Sequence, residues 1–402
     1  MQGALAVGAG GLWGGSLAQR IVAAFEPWRR GWLDIHHIST GRGNSVLAIC
    51  PDGTSLMIDA GAAKSSEAAM GPARPDTSHR PGEWIGRYAL RHLKSAPRQE
   101  IDCFVLTHLH GDHMGDVMPD SPLDGSGKYR LTGISDVDAV IPIRRLIDRG
   151  YPDYGYPGRQ TYDGALNYIE FAHALARRGR VVERVRVGSR SQIAVATTGF
   201  EVRNLAANGE IWTGQQERTV RQFPDLKTLK PDEFPSENVC SIALRVQYGV
   251  FRYYIGGDLG CDTRFGTAPW LDVESAVARV AGPVQVAALD HHGYFDGTGE
   301  EFVRRMRARI YVAQTWHASH PALAVLDRLY SPLLYPGPRD VLATDLHTAA
   351  ALADDRYASR LLSQHGHVVV RVGEDGKQYE VLVLDDTVEA GAVVARFGPY
   401  LS

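Results

Sequence analysis

The feature that most constrains this chain is the run Thr107-His108-Leu109-His110-Gly111-Asp112-His113, which packs three imidazoles and a carboxylate into a single turn of chain. It follows directly on Ile101 to Leu106, an apolar run of strand length, and so reads as a loop leaving a strand. Isolated histidines are usually structural, but side chains this dense can turn inward together. They then offer the nitrogen and oxygen donors that zinc and its neighbours prefer. A metal site is the first expectation, and the rest of the chain must supply a fold able to hold it.

At 402 residues the chain can bury a full core, and its 44% hydrophobic and 22% charged residues argue for a folded globular protein rather than a disordered tail or a coiled coil. A formal net charge of -3 lacks the basic excess needed to grip a nucleic-acid backbone, so no stable nucleic-acid complex is expected. Cys50, Cys103, Cys240 and Cys261 are far apart and form no C-x-x-C pair. The first three sit in apolar runs, as buried structural thiols do. Residues 1-30 read as an export signal and flexible N-terminus: Leu5 to Leu12 is small and apolar, and Ser16-Leu17-Ala18 has the form of a cleavage site. No Lys or Arg precedes Arg20, which would suit a twin-arginine signal starting further upstream. The expected location is periplasmic or secreted, otherwise cytoplasmic. The stretch is too short and Gly-rich for a membrane span.

Residues 31-402 show no repeat or linker and read as one domain with an insertion at about 145-235. Three hairpins are predicted: Val46 to Cys50 with Ser55 to Ile58, Ser241 to Val246 with Phe251 to Ile255, and Val368 to Val372 with Tyr379 to Leu384. Val284 to Leu289 and Ile310 to Ala313 are further strands around a helix from Glu300 to Arg309, and Trp84 to Leu93 and Tyr162 to Arg178 can form helices. Within the insertion, Arg177, Arg178, Arg180, Arg184, Arg186 and Arg190 form a solvated basic face or a rim that attracts anions.

Asp59, His108, Asp258 and His291 each stand just after a predicted strand, where ligand sites gather in α/β proteins. His-x-His-x-Asp-His is the signature of the metallo-β-lactamase superfamily, and further motifs resemble it. Met57-Ile58-Asp59-Ala60-Gly61 is similar to the family's first motif, and Gly256-Gly257-Asp258 to its bridging-aspartate motif. Leu289-Asp290-His291-His292-Gly293, Asn238-Val239-Cys240-Ser241 and His320-Pro321 resemble one subgroup, the hydrolase domains of DNA-uptake channel proteins and the choline-phosphate esterases. The resemblance implies an α/β (α+β) chain folded as a four-layer αββα sandwich.

By the same resemblance His108 and His110 hold a first metal, Asp112, His113 and one of His291 or His292 a second, and Asp258 bridges both. We favour His292 as the ligand and His291 as an acid or hydrogen-bond donor facing substrate. Asp59, Asn238 and His320 are expected to support the site or contact substrate. Many relatives have a third histidine for the first metal. Only His173 falls in that interval, inside a predicted amphipathic helix, so water, Asn208 or Asn238 would replace it. His317 could join His320 at the site mouth, whereas His36, His37, His365 and His367 read mainly as packing residues.

The implied cofactors are two divalent ions, zinc first and manganese second. The implied activity is hydrolysis by a metal-bridging hydroxide, with Asp112, Asp258 and His291 catalytic and a small-molecule or nucleic-acid phosphodiester as the favoured substrate. Lactone, thioester and β-lactam hydrolysis stay open. So does a non-catalytic metal-binding module that docks on an anionic polymer. Cys261 is not needed as a nucleophile.

Overall fold

The computed structural model describes residues 19-66 and 68-402. The expected export segment, with Leu5 to Leu12 and Ser16-Leu17-Ala18, lies outside the described residues. The chain runs through β1 (Gln19–Ala23), β2 (Leu33–His37), β3 (Val46–Ile49), β4 (Ser55–Ile58), helix α1 (Pro81–His92), β5 (Cys103–Val105), the short helix α2 (Gly111–Met114), α3 (Ile134–Val140), β6 (Arg145–Asp148), α4 (Asp163–Arg177) and β7 (Val181–Arg184). It then builds a second sheet from β8 (Phe200–Ala207), β9 (Glu210–Trp212), β10 (Thr219–Arg221), β11 (Ala243–Tyr248), β12 (Phe251–Ile255), α5 (Val273–Ala281), β13 (Val286–Ala288), α6 (Glu300–Met306), β14 (Ile310–Ala313), α7 (Leu323–Tyr330) and β15 (Asp340–Ala343). Finally β16 (His367–Val372), β17 (Gln378–Leu384) and β18 (Val393–Leu401) return to the first sheet. The strand orders are β1-β18-β17-β16-β2-β3-β4-β5-β6-β7 and β10-β9-β8-β11-β12-β13-β14-β15.

The layers follow from alternation along buried strands, because successive side chains leave a strand on opposite faces. In the first sheet Val46, Ala48, Leu56, Ile58, Cys103 and Val105 face the second sheet. Leu47, Ile49, Met57 and Phe104 face α1, α3 and α4. In the second sheet Val286, Ala288, Ile310, Val312 and Leu342 point back into the shared core, while Ala287, Tyr311, Ala313, Val341 and Ala343 meet α5, α6 and α7. This is the αββα sandwich. The helices are amphipathic in the matching sense: α4 buries Ala165, Tyr168, Phe171, Ala172 and Leu175, a stripe at helical spacing. α1 begins with Pro81, and the carboxylate of Glu83 accepts the Arg80 N–H at 2.8 Å.

The stretch read as an insertion at about 145-235 is woven into both sheets. β6 and β7 extend the parallel edge of the first, and β8 pairs with β11 over six residue pairs in the second. All six arginines singled out there are exposed, and Arg177, Arg178 and Arg184 lie opposite Glu170, Asp138 and Asp153. No helix among the described residues is long and apolar enough to cross a membrane.

Candidate metal centre

Strands β4 and β5 lie parallel, as do β12, β13 and β14, so their carboxyl ends open on one rim of the sandwich. Asp59 follows β4, the histidine run follows β5, Asp258 follows β12, and His291 and His292 follow β13. Two groups of donors result: Asp112, His113, Asp258 and His292, and His108, His110 and Asp258, with the atoms of each group within 4.8 Å of one another. Asp258 belongs to both. Its Oδ1 is 3.0 Å from His113 Nε2 and 3.6 Å from His292 Nε2, and its Oδ2 is 3.7 Å from His108 Nε2. His292 Nε2 lies 3.1 Å from Asp112 Oδ2.

The backbone delivers these groups through sterically closed turns. A Cβ on Gly61 would sit 2.1 Å from the Asp112 carbonyl oxygen, and one on Gly257, at φ +60°, would sit 2.9 Å from both Ser241 Oγ and Thr107 Cβ. Asp59 itself has φ 61°. Its carboxylate is held by the Thr107 N–H and hydroxyl, each at 2.8 Å, and by Asn44 at 3.1 Å. It is a positioning group: His113 Nδ1 is 2.7 Å from its Oδ2, which turns Nε2 towards the donor groups. His292 is fixed in the same way, Nδ1–H donating to the Gln314 carbonyl at 3.0 Å. His37 contacts the Gln314 side chain at 3.2 Å, and His320 stacks on His292 with centroids 5.0 Å apart.

The donor set fits a divalent ion. Burial opposes a charge on His113, yet Asp258, Asp59 and Asp112 raise its pKa well above the usual value. Carboxylates gathered around two Nε2 atoms 3.2 Å apart make a place for positive charge, which a divalent ion would supply instead of the proton. Asp258 Oδ1 is buried and has no hydrogen-bond partner among the described residues. Burial opposes ionisation of Asp258, but His113, His292, His291 and His108 hold it well below the usual carboxylate range. Burial, with His113 adding to it, also keeps His108 neutral, the form in which imidazole binds metal.

His291 is in neither donor group. Its Nδ1 is 2.6 Å from Asp296 Oδ1, and its Nε2 lies 3.2 Å from Asn238 Nδ2 and 3.6 Å from Asp258 Oδ2. Burial disfavours its charged form, yet Asp258 and the bond to Asp296 push its pKa up to about 9. Asn208 departs from expectation. Its Oδ1 accepts from Arg149 Nη1 and its Nδ2 donates to the Arg149 carbonyl, so both ends of the amide are engaged away from His108 and His110. His173 lies 3.3 Å from the Pro152 carbonyl, outside the site, and His317 is half-buried beside Ser319. His36 and His367 are packing residues, bonded to Tyr88 and to the Ser39 N–H. His365 pairs with Asp345. Burial raises the Cys261 thiol, leaving it inert. Sequence reasoning missed Thr107, Gln314, Asp296 and Glu237, whose roles depend on partners distant in the chain.

Residues 39–119, which carry Asp59 and the whole histidine run, match the family model of the metallo-beta-lactamase superfamily. The chain carries a metallo-β-lactamase domain. The two mixed sheets with their flanking helices are consistent with that superfamily's sandwich fold, and the two donor groups are candidate ligands for divalent metal. Among solved structures the chain is similar to a diphosphatase from the PhnP family, with 11% identity over 86% of this chain and 98% of that one and a TM-score of 0.35. It is also similar to unliganded yeast PDE1, with 11% identity over 87% and 99% and a TM-score of 0.37. No curated protein matches.

Proposed function

We propose that the protein is a binuclear metal-dependent hydrolase acting on phosphodiesters. The observation that carries this reading is the sharing of Asp258 between two adjacent donor groups. His108, His110 and Asp258 would hold one divalent ion, and Asp112, His113, Asp258 and His292 the other. Two such ions supply Lewis acidity and activate water near neutral pH. The ligand carboxylates Asp112 and Asp258 balance only half of four positive charges, so the site favours an anionic substrate over a neutral lactam or lactone. His291 stands beside the donors without belonging to them, oriented by Asp296, and with the Asn238 amide turned so that its otherwise unpartnered oxygen faces the ring it is placed to hold a proton at Nε2 for a leaving oxygen. The motifs shared with the DNA-uptake and choline-phosphate esterase subgroup support the same substrate class.

The test is elemental analysis of the purified protein together with a panel of chromogenic phosphodiesters, phosphomonoesters, lactones and a chromogenic β-lactam, with zinc or manganese supplied. Close to two ions and fastest turnover of a diester are expected. Absence of metal and of activity after zinc or manganese is added would refute the hydrolase reading, and preferential turnover of a neutral ester or lactam would refute the substrate class.

A further inference from the structure

Among the described residues the largest fully buried side chain is a cation, Arg149, which is 1% exposed and directly follows β6. Its Nε donates to Glu237 Oε1 at 2.6 Å and its Nη2 to Glu237 Oε2, while Nη1 donates to the Tyr156 carbonyl and to Asn208. An ion pair this deeply buried is a poor device for stability alone, because removing two charges from water costs about as much as their attraction returns. The carboxylate does something else as well. Glu237 Oε1 accepts the backbone N–H of Leu109 at 2.8 Å, and Leu109 stands between His108 and His110.

The two donor groups differ in how they are braced. His113 and His292 are each oriented by a partner on Nδ1, and their group has four members; His108 likewise has Ser241 Oγ and Thr107 Oγ1 at 3.2 Å from its Nδ1, so the contrast lies in His110. The other group has three. His110 within it is half-exposed, its Nδ1 lies 3.2 Å from His108 Nε2, and its second ring nitrogen has no hydrogen-bond partner among the described residues. The direction of His110 is therefore set mainly by its backbone. Resting on the two-metal reading above, we propose that the Arg149–Glu237 pair is a positioning clamp for the first metal. Glu237 holds the Leu109 amide, and Arg149 holds Glu237, so that His108 and His110 converge with Asp258. The second donor group does not depend on this contact.

The experiment titrates zinc, in competition with a chelator, into the full chain as wild type, Glu237→Ala and Glu237→Gln. His108→Ala marks which binding step belongs to the first group. Both Glu237 substitutions remove the charge opposite Arg149, but only glutamine keeps an oxygen able to accept the Leu109 N–H, and comparing both variants in an Arg149→Met background as well removes their unequal contacts with the arginine. In Glu237→Ala the first-group affinity should fall at least about tenfold, the scale of lost outer partners at metal sites, while the second-group step stays within about threefold. Glu237→Gln should recover most of the loss. If the unpaired arginine prevents folding, the comparison in the Arg149→Met background decides alone. Equal first-group affinity in the alanine and glutamine variants, or equal weakening of both steps, overturns the clamp while leaving the two-metal reading intact. A wild-type chain that holds no zinc overturns both.

Discussion

Stability should fall in mild acid because of His367, a residue remote from the donor groups. Its ring is buried on β16, and Nδ1 accepts the Ser39 N–H at 3.0 Å, so protonation there would set two donors face to face. Burial, reinforced by the charge of Arg91 and opposed by Asp385, pulls its pKa from 6.5 down to about 3. The unfolded chain therefore takes up the proton first. The stabilising contribution is complete above the unfolded value and is lost progressively as pH falls towards the folded one. Integrating the linkage between about pH 8 and about pH 5 with these two values gives a loss of about 2 kcal/mol from this residue. The assay is urea unfolding of wild type and His367→Asn at both pH values with chelator present. Asparagine keeps an oxygen where Nδ1 lies and does not titrate. His36, His37 and His92 also have lowered pKa values through burial, His37 to about 4; His37 cancels in the comparison, while His36 and His92 cancel in their main cause, burial, and lose only the lesser contribution from His367. Wild type should lose about 2 kcal/mol more than the variant over the interval. Parallel losses in the two proteins would show the reasoning about His367 to be wrong.

Other outcomes bear on the site. Asp258→Ala and His292→Ala should each lower metal content and abolish turnover together, whereas His291→Ala should keep its metal and lose roughly a hundredfold or more in kcat; metal analysis in which His291→Ala empties a site and His292→Ala does not would exchange their roles. Asp59→Asn weakens the acceptor for His113 Nδ1 and should cost about ten- to a hundredfold in second-group zinc affinity, measured by chelator competition, with far-ultraviolet circular dichroism unchanged. Gly61→Ala drives a methyl into the Asp112 carbonyl and should cost about 1–3 kcal/mol in chemical unfolding along with weaker metal binding; a fully stable variant with normal zinc content would show that the turn can relax.

The hairpin of β3 and β4, the hairpin of β11 and β12, the helix α4 and the strand β14 were legible because each is specified locally, by a turn between two apolar runs or by one apolar stripe. The sandwich was not legible from periodicity. Runs such as Val46 to Ile49 and Ile310 to Ala313 are apolar at every position because both faces are buried, so no polar alternation marks which face meets the other sheet. For the same reason the stretch 145-235 read as an insertion, although Arg145–Asp148 and Phe200–Ala207 are strands whose partners lie far away in the chain.

The chemistry of the site was determined by the sequence itself. Histidine and aspartate at such close spacing after a strand have few uses other than holding a cation, and that density survives without knowledge of any contact. Which atoms face one another was decided by tertiary structure alone. Asp258 joins both donor groups, His292 rather than His291 enters one of them, and Asn208 is taken by Arg149, because strands β4, β5, β12 and β13 from two sheets end on a common rim. The residues that brace the site, Gln314 behind His292, Asp296 behind His291 and Glu237 on the Leu109 amide, could be found only there. Each of these bonds, to a backbone carbonyl, to a carboxylate behind a ring or from a backbone amide to a carboxylate, depends on geometry between separate segments and leaves no local mark in the sequence.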